Sequence, residues 1–317
     1  MEPCHIRIGT SGWSYPSGAG SWNGVFYPPR GRRHRPRGFD ELSYYAEHFD
    51  TVEVNSTFYG VPTPRTTRSW VTRTPDRFEF SIKIHQQFTH PKMFGAATGA
   101  TPTARTTSDV DVFRAAIEPL LDAGKLGVLL AQFPPSFHND GSTREYLAWL
   151  IAAFPDCPVA VELRHRSWSD EVGETLTLLN RLGAAWVQID EPKFRFSITQ
   201  SHLPNVKGLY YMRLHGRNAD KWWHHDAAEE RYDYLYSTTE LQPFAETASA
   251  ASRLVKKLYL YLNNHFAAKA VANAVVLKHK LDVPVEGEYP ASFVERYPDV
   301  KVLVPSTRPS RPLLPLT

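Results

Sequence analysis

Three carboxylates, Glu53, Glu162 and Asp190, and three cations, Lys83, Arg164 and Arg213, stand near the C-terminal ends of short stretches that alternate apolar with polar residues. If those stretches are neighbouring strands, Glu162 and Asp190 leave backbones ~4.8 Å apart. Two carboxylates that close split their pKa values, which is how an acid and a base are made from like residues. Arg164 and Arg213 are the cations that fit between them, and their planar forks also suit a phosphate or carboxylate on a substrate. His215 is placed to shuttle protons near neutrality. The expected catalytic set is therefore Glu162, Asp190, His215 and Glu53, with Lys83, Arg164 and Arg213 holding an anion. Asn55, Gln132, Asn263 and Asn264 would orient it, and His265 lies just past the last strand. The same charges also permit a self-neutralising network inside the fold.

These residues need a scaffold that turns its apolar side outward. The clearest element is 157–165, where Val159, Val161 and Leu163 alternate with Ala160, Glu162 and Arg164. Similar patterns occupy 6–13, 51–59, 78–85, 184–190, 210–216 and 257–265, while 126–133 is nearly all apolar and ends with Gln132 before two prolines. In 184–190 the same reading puts Val187 and Ile189 outside, with Trp186, Gln188 and Asp190 inside. Helical patterns alternate with the strands, including one from Ser108 to Gly124, bent or broken at Pro119, and one opened by a Ser142/Glu145 capping box. Another runs from Ser169 to Leu182, one is capped by Thr239 and Gln242, and the last covers 267–281. Residues 191–207 show no helical pattern.

Eight strand–helix alternations call for parallel β-α units. Open doubly wound sheets bury both strand faces and read as continuous apolar runs, whereas these strands are polar on one face. The expected fold is an α/β (β/α)8 TIM-type barrel, a single domain over residues 1–297 with long βα loops at its C-terminal face, followed by a Pro-rich tail at 298–317.

The chain of 317 residues is 42% hydrophobic and 22% charged, with a net charge of +3, which excludes a strongly basic or acidic binding protein. Cys4 and Cys157 show no metal-ligand spacing and read as small buried hydrophobes in a reducing compartment. No secretory leader precedes the first strand and no apolar run is long enough to cross a bilayer, so the expected location is cytoplasmic, with no membrane partner. Aromatic residues crowd the loops (Trp13, Tyr15, Phe58, Tyr59, Trp168, Trp222 and Trp223), and such flat faces suit a sugar ring or nucleobase. The run RGRRHRPR at 30–37 is a basic surface loop, the one feature that points toward a nucleic-acid partner. No cofactor is expected. A divalent metal held by Glu162, Asp190, His215 and His265 is the competing arrangement. Against it, positive charge crowds the same mouth and no HxH or HExxH spacing is present.

The blocks GTSGWSYPSG, YYAEHFDTVEVNSTFYG, FSIKIHQQFTHPKMF, LGVLLAQFPPSF, VAVELRHRSW, DEP at 190–192, YYMRLHGRN and LNNHFAAKAVANA occur in that order between residues 6 and 281. Together they resemble the YecE-like family, domain of unknown function 72. The resemblance implies a (β/α)8 barrel and supplies no reaction. It implies recurring polar positions at Thr89, His90, His165, Gly216 and Arg217, and at most of the residues named above. The chain departs from the pattern in the basic loop and at Ala267–Ala268, where Gly or a polar residue is expected.

The function expected from these residues is a barrel enzyme, a hydrolase or lyase, using carboxylate and histidine acid–base chemistry. Its substrate would be a small anionic molecule, carbohydrate-like or nucleotide-like. A metal-dependent phosphoesterase and a non-catalytic nucleic-acid or ligand-binding barrel are the alternatives. The sequence carries no signal for oligomeric state.

Overall fold

The computed structural model describes residues 3–31, 35–98, 107–200, 204–223 and 227–304. Its parallel strands are β1 (His5–Thr10), β2 (Thr51–Val54), β3 (Glu79–Lys83), β4 (Leu126–Gln132) and β5 (Val159–Glu162). They continue with β6 (Ala185–Trp186), β7 (Gln188–Asp190), β8 (Leu209–Leu214) and β9 (Lys257–Leu262). β2 to β6 pair in chain order, and β7, β8, β9 and β1 pair in turn. β6 and β7 flank the single residue Val187, whose N–H donates to Val161 O at 2.9 Å, so the two halves share one strand position. At the other seam Ser11 bridges Glu53, and the backbones approach so closely that a Cβ at Gly9 would fall 2.4 Å from Thr51 O. Glycine is required there. Eight strand positions thus close a (β/α)8 TIM-type barrel, as the alternation predicts.

The apolar strand faces point outward. Phe80, Ile82, Leu129, Val161, Leu163, Leu258 and Leu260 are fully buried between sheet and surrounding helices. The interior is unusual, because barrels are commonly filled by branched aliphatic layers. Near the N-terminal end Glu79 accepts from Tyr259 and pairs with Arg7 at 3.1 Å and Lys257 at 2.8 Å. Above it the Tyr261 hydroxyl lies 2.6 Å from Thr51 Oγ1 and 2.9 Å from Ser81 Oγ.

Register corrects the reading of the sixth strand. Residues paired across parallel strands project to the same side. Ala185 pairs with Ala160 and Ile189 with Arg213, so Ala185 and Ile189 face inward while Trp186, Gln188 and Asp190 face out. Among the described residues of 191–200 and 204–207 no helix lays an apolar stripe on this outer face. Instead Gln188 Nε2 donates to Gln200 O at 3.2 Å, and the Gln200 side chain receives the Ile189 N–H at 3.0 Å and donates to Val187 O at 2.7 Å, so a polar loop meets both the outward side chain and the backbone edge of the strand.

Two helix starts also differ from expectation. Asp140, not Ser142, caps Gly141–Ala152 in a capping box with Thr143, and Ser237 with Glu240 caps Thr238–Ser252. Each helix opens upstream of the expected cap, where an oxygen can accept from the N3 amide. The predicted strand 51–59 ends at Val54 and turns into a short helix, Ser56–Tyr59. The helix Thr107–Asp122 continues through Pro119. Past residue 290 the chain forms Ala291–Arg296 and a 3-10 turn, Pro298–Val300, with Phe293, Tyr297, Val300 and Val304 buried. Residues 305–317 lie outside the described residues.

Candidate active site at the C-terminal mouth of the barrel

Arg213, 1% exposed, is the hub. Its Nε and Nη2 donate to the two oxygens of Glu53 at 2.9 and 2.6 Å, a bidentate pair completed by the Tyr211 hydroxyl at 2.7 Å. Its Nη1 donates to Glu162 Oε2 and to Gln132 Oε1, the latter at 3.1 Å. Glu162 Oε1 accepts from Arg164 Nε at 2.7 Å. Inward-facing positions on β2, β4, β5 and β8 supply this floor, with Arg164 just beyond β5. Two carboxylates face two guanidiniums, so the expected self-neutralising network exists as the floor of the site. Burial alone would raise the Glu162 pKa, but Arg213 and Arg164 outweigh it and hold the carboxyl well below the usual range. His215 Nε2 sits 3.3 Å from Arg164 Nη2 and 3.4 Å from Arg213 Nη1, and its Nδ1 meets Asn263 at 2.9 Å. Burial and then Arg213 push the imidazole down to about 3.

Above the floor opens a cavity of about 470 Å³. Tyr15, Phe58, Phe194, Phe196, Trp222 and Tyr232 wall it, and Asn55, Lys83, Arg164, Glu191, Arg231 and His265 bring polar atoms to it. Lys83 extends from the end of β3 with Nζ 3.9 Å from the Phe58 ring centre, and among the described residues no carboxylate lies within ion-pair distance of it. Burial, then Arg213, push its ammonium down to about 7. Glu191 is pushed the other way: burial raises its pKa, opposed by Arg164, whose Nη1 is 3.4 Å from Oε2 without hydrogen-bond geometry. His265 stacks on Tyr15 with ring centres 4.1 Å apart, and burial lowers it to about 3. Its Nδ1 and the Asn55 Oδ1 are buried without hydrogen-bond partners. A ligand with hydroxyl or amine groups can satisfy both.

Of the expected site residues, Glu53, Asn55, Lys83, Gln132, Glu162, Arg164, Arg213, His215, Asn263, His265 and Tyr15 meet at this mouth or its floor. Four do not. Asp190, on the outer face, accepts from Arg217 Nε at 2.8 Å, Arg217 Nη2 at 2.9 Å and the Tyr236 hydroxyl at 2.7 Å. Glu162 and Asp190 therefore form no acid/base pair, and Arg217 is occupied outside the cavity. Asn264 is buried, donating to Asn273 Oδ1 at 2.7 Å and Tyr234 O at 2.8 Å. Trp13 packs edge-on against Trp70 with centres 5.7 Å apart. Besides these four, the loop aromatic Trp168 is buried against Phe137, away from the mouth. The residues missed are Glu191, Phe194, Phe196, Arg231 and Tyr232. The signal for Glu191 was available: with Asp190 turned outward, its neighbour turns in.

A family model described as "Protein of unknown function DUF72" matches residues 7–293. The chain belongs to the DUF72 family. A solved DUF72 family protein of Thermotoga maritima MSB8 matches 88% of this chain and 99% of its own, with 34% identity and a TM-score of 0.72. Another from Enterococcus faecalis V583 matches 88% and 96%, with 26% identity and a TM-score of 0.73. The UPF0759 protein YunF of Bacillus subtilis (strain 168) is 29% identical over 296 residues, 90% of this chain and 98% of that protein. The resemblance read from the motif blocks is thus correct, and so is the barrel it implies.

In this DUF72 chain, no group of three His, Cys, Asp or Glu side chains among the described residues is arranged to hold a metal ion. The ligand set considered from sequence is dispersed. Both Glu162 oxygens already accept from arginines, and Asp190 faces the other side of the strand. No helix among the described residues is long and apolar enough to cross a membrane. Of the basic loop, residues 32–34 lie outside the described residues, while Arg35 pairs with Glu41 at 2.9 Å. His224, His225 and the side chain of Trp223 lie outside them too.

Proposed function

We propose that this DUF72 chain is an enzyme acting on a small anionic molecule that carries a flat or ring-shaped body, carbohydrate-like or nucleotide-like. One observation carries the reading. Lys83, Arg164, Arg213 and Arg231 face an aromatic-walled cavity, while Glu53 and Glu162 are consumed in its floor. Counting Glu191 with Glu53 and Glu162, the four cations outnumber the carboxylates by one, and an anion supplies the balance. The aromatic walls take the apolar faces of the ring. Acid–base work in this reading falls to Glu191, whose burial favours the protonated carboxyl, and to Lys83, rather than to Glu162 and Asp190.

The test has two parts. Thermal shifts are measured with sugar phosphates and nucleotides against the matching neutral sugars and nucleosides. Phosphate-ester and glycoside panels are then assayed with the natural chain and with Glu191→Gln. The expected result is stabilisation by the anionic members only, fading with added salt, and a loss of turnover of about 100-fold or more in Glu191→Gln. Equal response to neutral ligands, or turnover untouched by Glu191→Gln, overturns the reading.

A further inference from the structure

Of the four cations facing the cavity, three are guanidiniums that keep their charge at any ordinary pH. Lys83 is the one that can become a nucleophile. Its place is fixed from both ends. Its backbone oxygen accepts from the Thr57 hydroxyl at 2.7 Å, which pins the end of β3, and Phe58, the next residue in that turn, lays its ring 3.9 Å from Nζ. The two acids nearest in charge, Glu53 and Glu162, are saturated by Arg213 and Arg164. A lysine kept only for charge would sit among carboxylates. This one faces guanidiniums, an aromatic ring and the open cavity.

We propose that Lys83 forms an imine with the carbonyl carbon of a small aldehyde or ketone that bears an anionic group. The inference rests on the anion-site reading above and adds the reacting function of the substrate. The permanent cations Arg164 and Arg231 hold the anion, and the amine meets the carbonyl. Burial beside Arg213 holds the Lys83 pKa at about 7, so a large share of the amine is neutral at neutral pH.

The step balances without an oxidant or reductant. The nitrogen lone pair forms the C–N bond while the C–O π pair moves to oxygen, which takes a proton from Glu191. The nitrogen then returns a proton to the Glu191 carboxylate. Protonated again by Glu191, the hydroxyl departs as water as the nitrogen lone pair closes the C=N bond. The iminium nitrogen gives its proton back to the carboxylate. The net change is amine plus carbonyl to imine plus water.

The probe is pyridoxal 5′-phosphate, an anionic aromatic aldehyde, followed by borohydride, whose hydride reduces the imine to a stable amine that peptide mapping locates. In the natural chain Lys83 is expected to be labelled at least tenfold faster than the surface lysines at neutral pH, with a rate that rises through a midpoint near 7. Surface lysines rise through about 10. Labelling of Lys83 no faster than theirs, or with their pH profile, overturns the proposal, and neither reading needs a variant to fold. Pyridoxine 5′-phosphate, which lacks the aldehyde, and neutral pyridoxal separate the two hypotheses. Stabilisation by pyridoxine 5′-phosphate without labelling of Lys83 by the aldehyde sinks the imine and leaves the anion site standing. Labelling of Lys83 by neutral pyridoxal as fast as by its phosphate supports the imine and sinks the anion site.

Discussion

Ile189 and Arg213 are register partners on adjacent strands, so Asp190, one residue further on, points away from the mouth that Arg213 floors. Its carboxylate is spent on Arg217 and Tyr236. Asp190→Asn is therefore expected to lower stability by about 1–3 kcal/mol, the worth of a charge-assisted pair that loses its ion. Ligand-induced thermal shifts should be unchanged. Urea denaturation and the anion panel check both halves, and a lost ligand response with stability intact would return Asp190 to the site.

Arg213 behaves in the opposite way. Arg213→Met leaves Glu53 buried beneath the cavity with only the Tyr211 hydroxyl bond of the three described above, and Glu162 without one of its two arginines. Breaking a buried pair from one side costs about 3–5 kcal/mol, and chemical denaturation should show a loss of that size. A cost under about 1 kcal/mol would mean that water already reaches the floor.

The buried histidines set an acid limit. His215 and His265 are both held at about 3, below the value near 6.5 of an unfolded chain. Between those values the unfolded state binds protons that the folded state refuses, so stability falls as pH drops from about 6.5 toward 3. Each histidine contributes a slope of about 1.4 kcal/mol per pH unit inside that window. Glu162 acts in the same direction further down, because its depressed pKa gives stability present above about 4.3 and lost as acid protonates it. Urea midpoints between pH 4 and 7 should drop steeply, and His265→Asn should flatten the curve.

Lys83 is expected to be costly to stability. Its folded pKa of about 7 lies below the unfolded value near 10.4, so the penalty is fully present below pH 7 and is relieved as pH rises toward 10. Lys83→Met should raise stability at pH 7 by on the order of 1–3 kcal/mol, while abolishing the aldehyde labelling. A loss of stability in Lys83→Met would mark the residue as a structural cation.

Ala267 and Ala268 adopt left-handed backbone angles, φ +51° and +65°, two and three residues after His265. An L side chain pays about 1 kcal/mol or more per residue there, part of which glycine's looser unfolded chain gives back. The double change Ala267→Gly/Ala268→Gly is expected to raise stability by about 1 kcal/mol in thermal or urea unfolding. The motif pattern calls for glycine or a polar residue at this place, and the backbone supplies the reason.

Much of this was legible in the order of residues. The alternation of Val159, Val161 and Leu163 with Glu162 gave the inward face of β5, and the same rule located Glu53, Lys83, Arg213 and His215. It failed at 184–190, because a two-residue period states which residues share a face and not which face is inside. That choice depends on what covers the strand, and here a polar loop carrying Gln200, not an apolar helix, packs against it. The misplacement of Asp190 then hid Glu191. The pairing of Glu162 was beyond reach for another reason: a carboxylate looks like an acid or a base until the two guanidiniums beside it are seen. The starts of Gly141–Ala152 and Thr238–Ser252 were misjudged because several oxygen-bearing residues in a row offer rival caps.

The hydrogen-bonded interior has a consequence for how the chain is made. Glu53, Thr51 and Ser81 belong to the first third of the polypeptide, and their partners Arg213 and Tyr261 arrive only with its last third. A nascent chain halted after the fifth strand holds a carboxylate meant for burial with nothing to neutralise it. The two halves of the ring thus share one hydrogen-bonded interior, complete only when the final strand joins it.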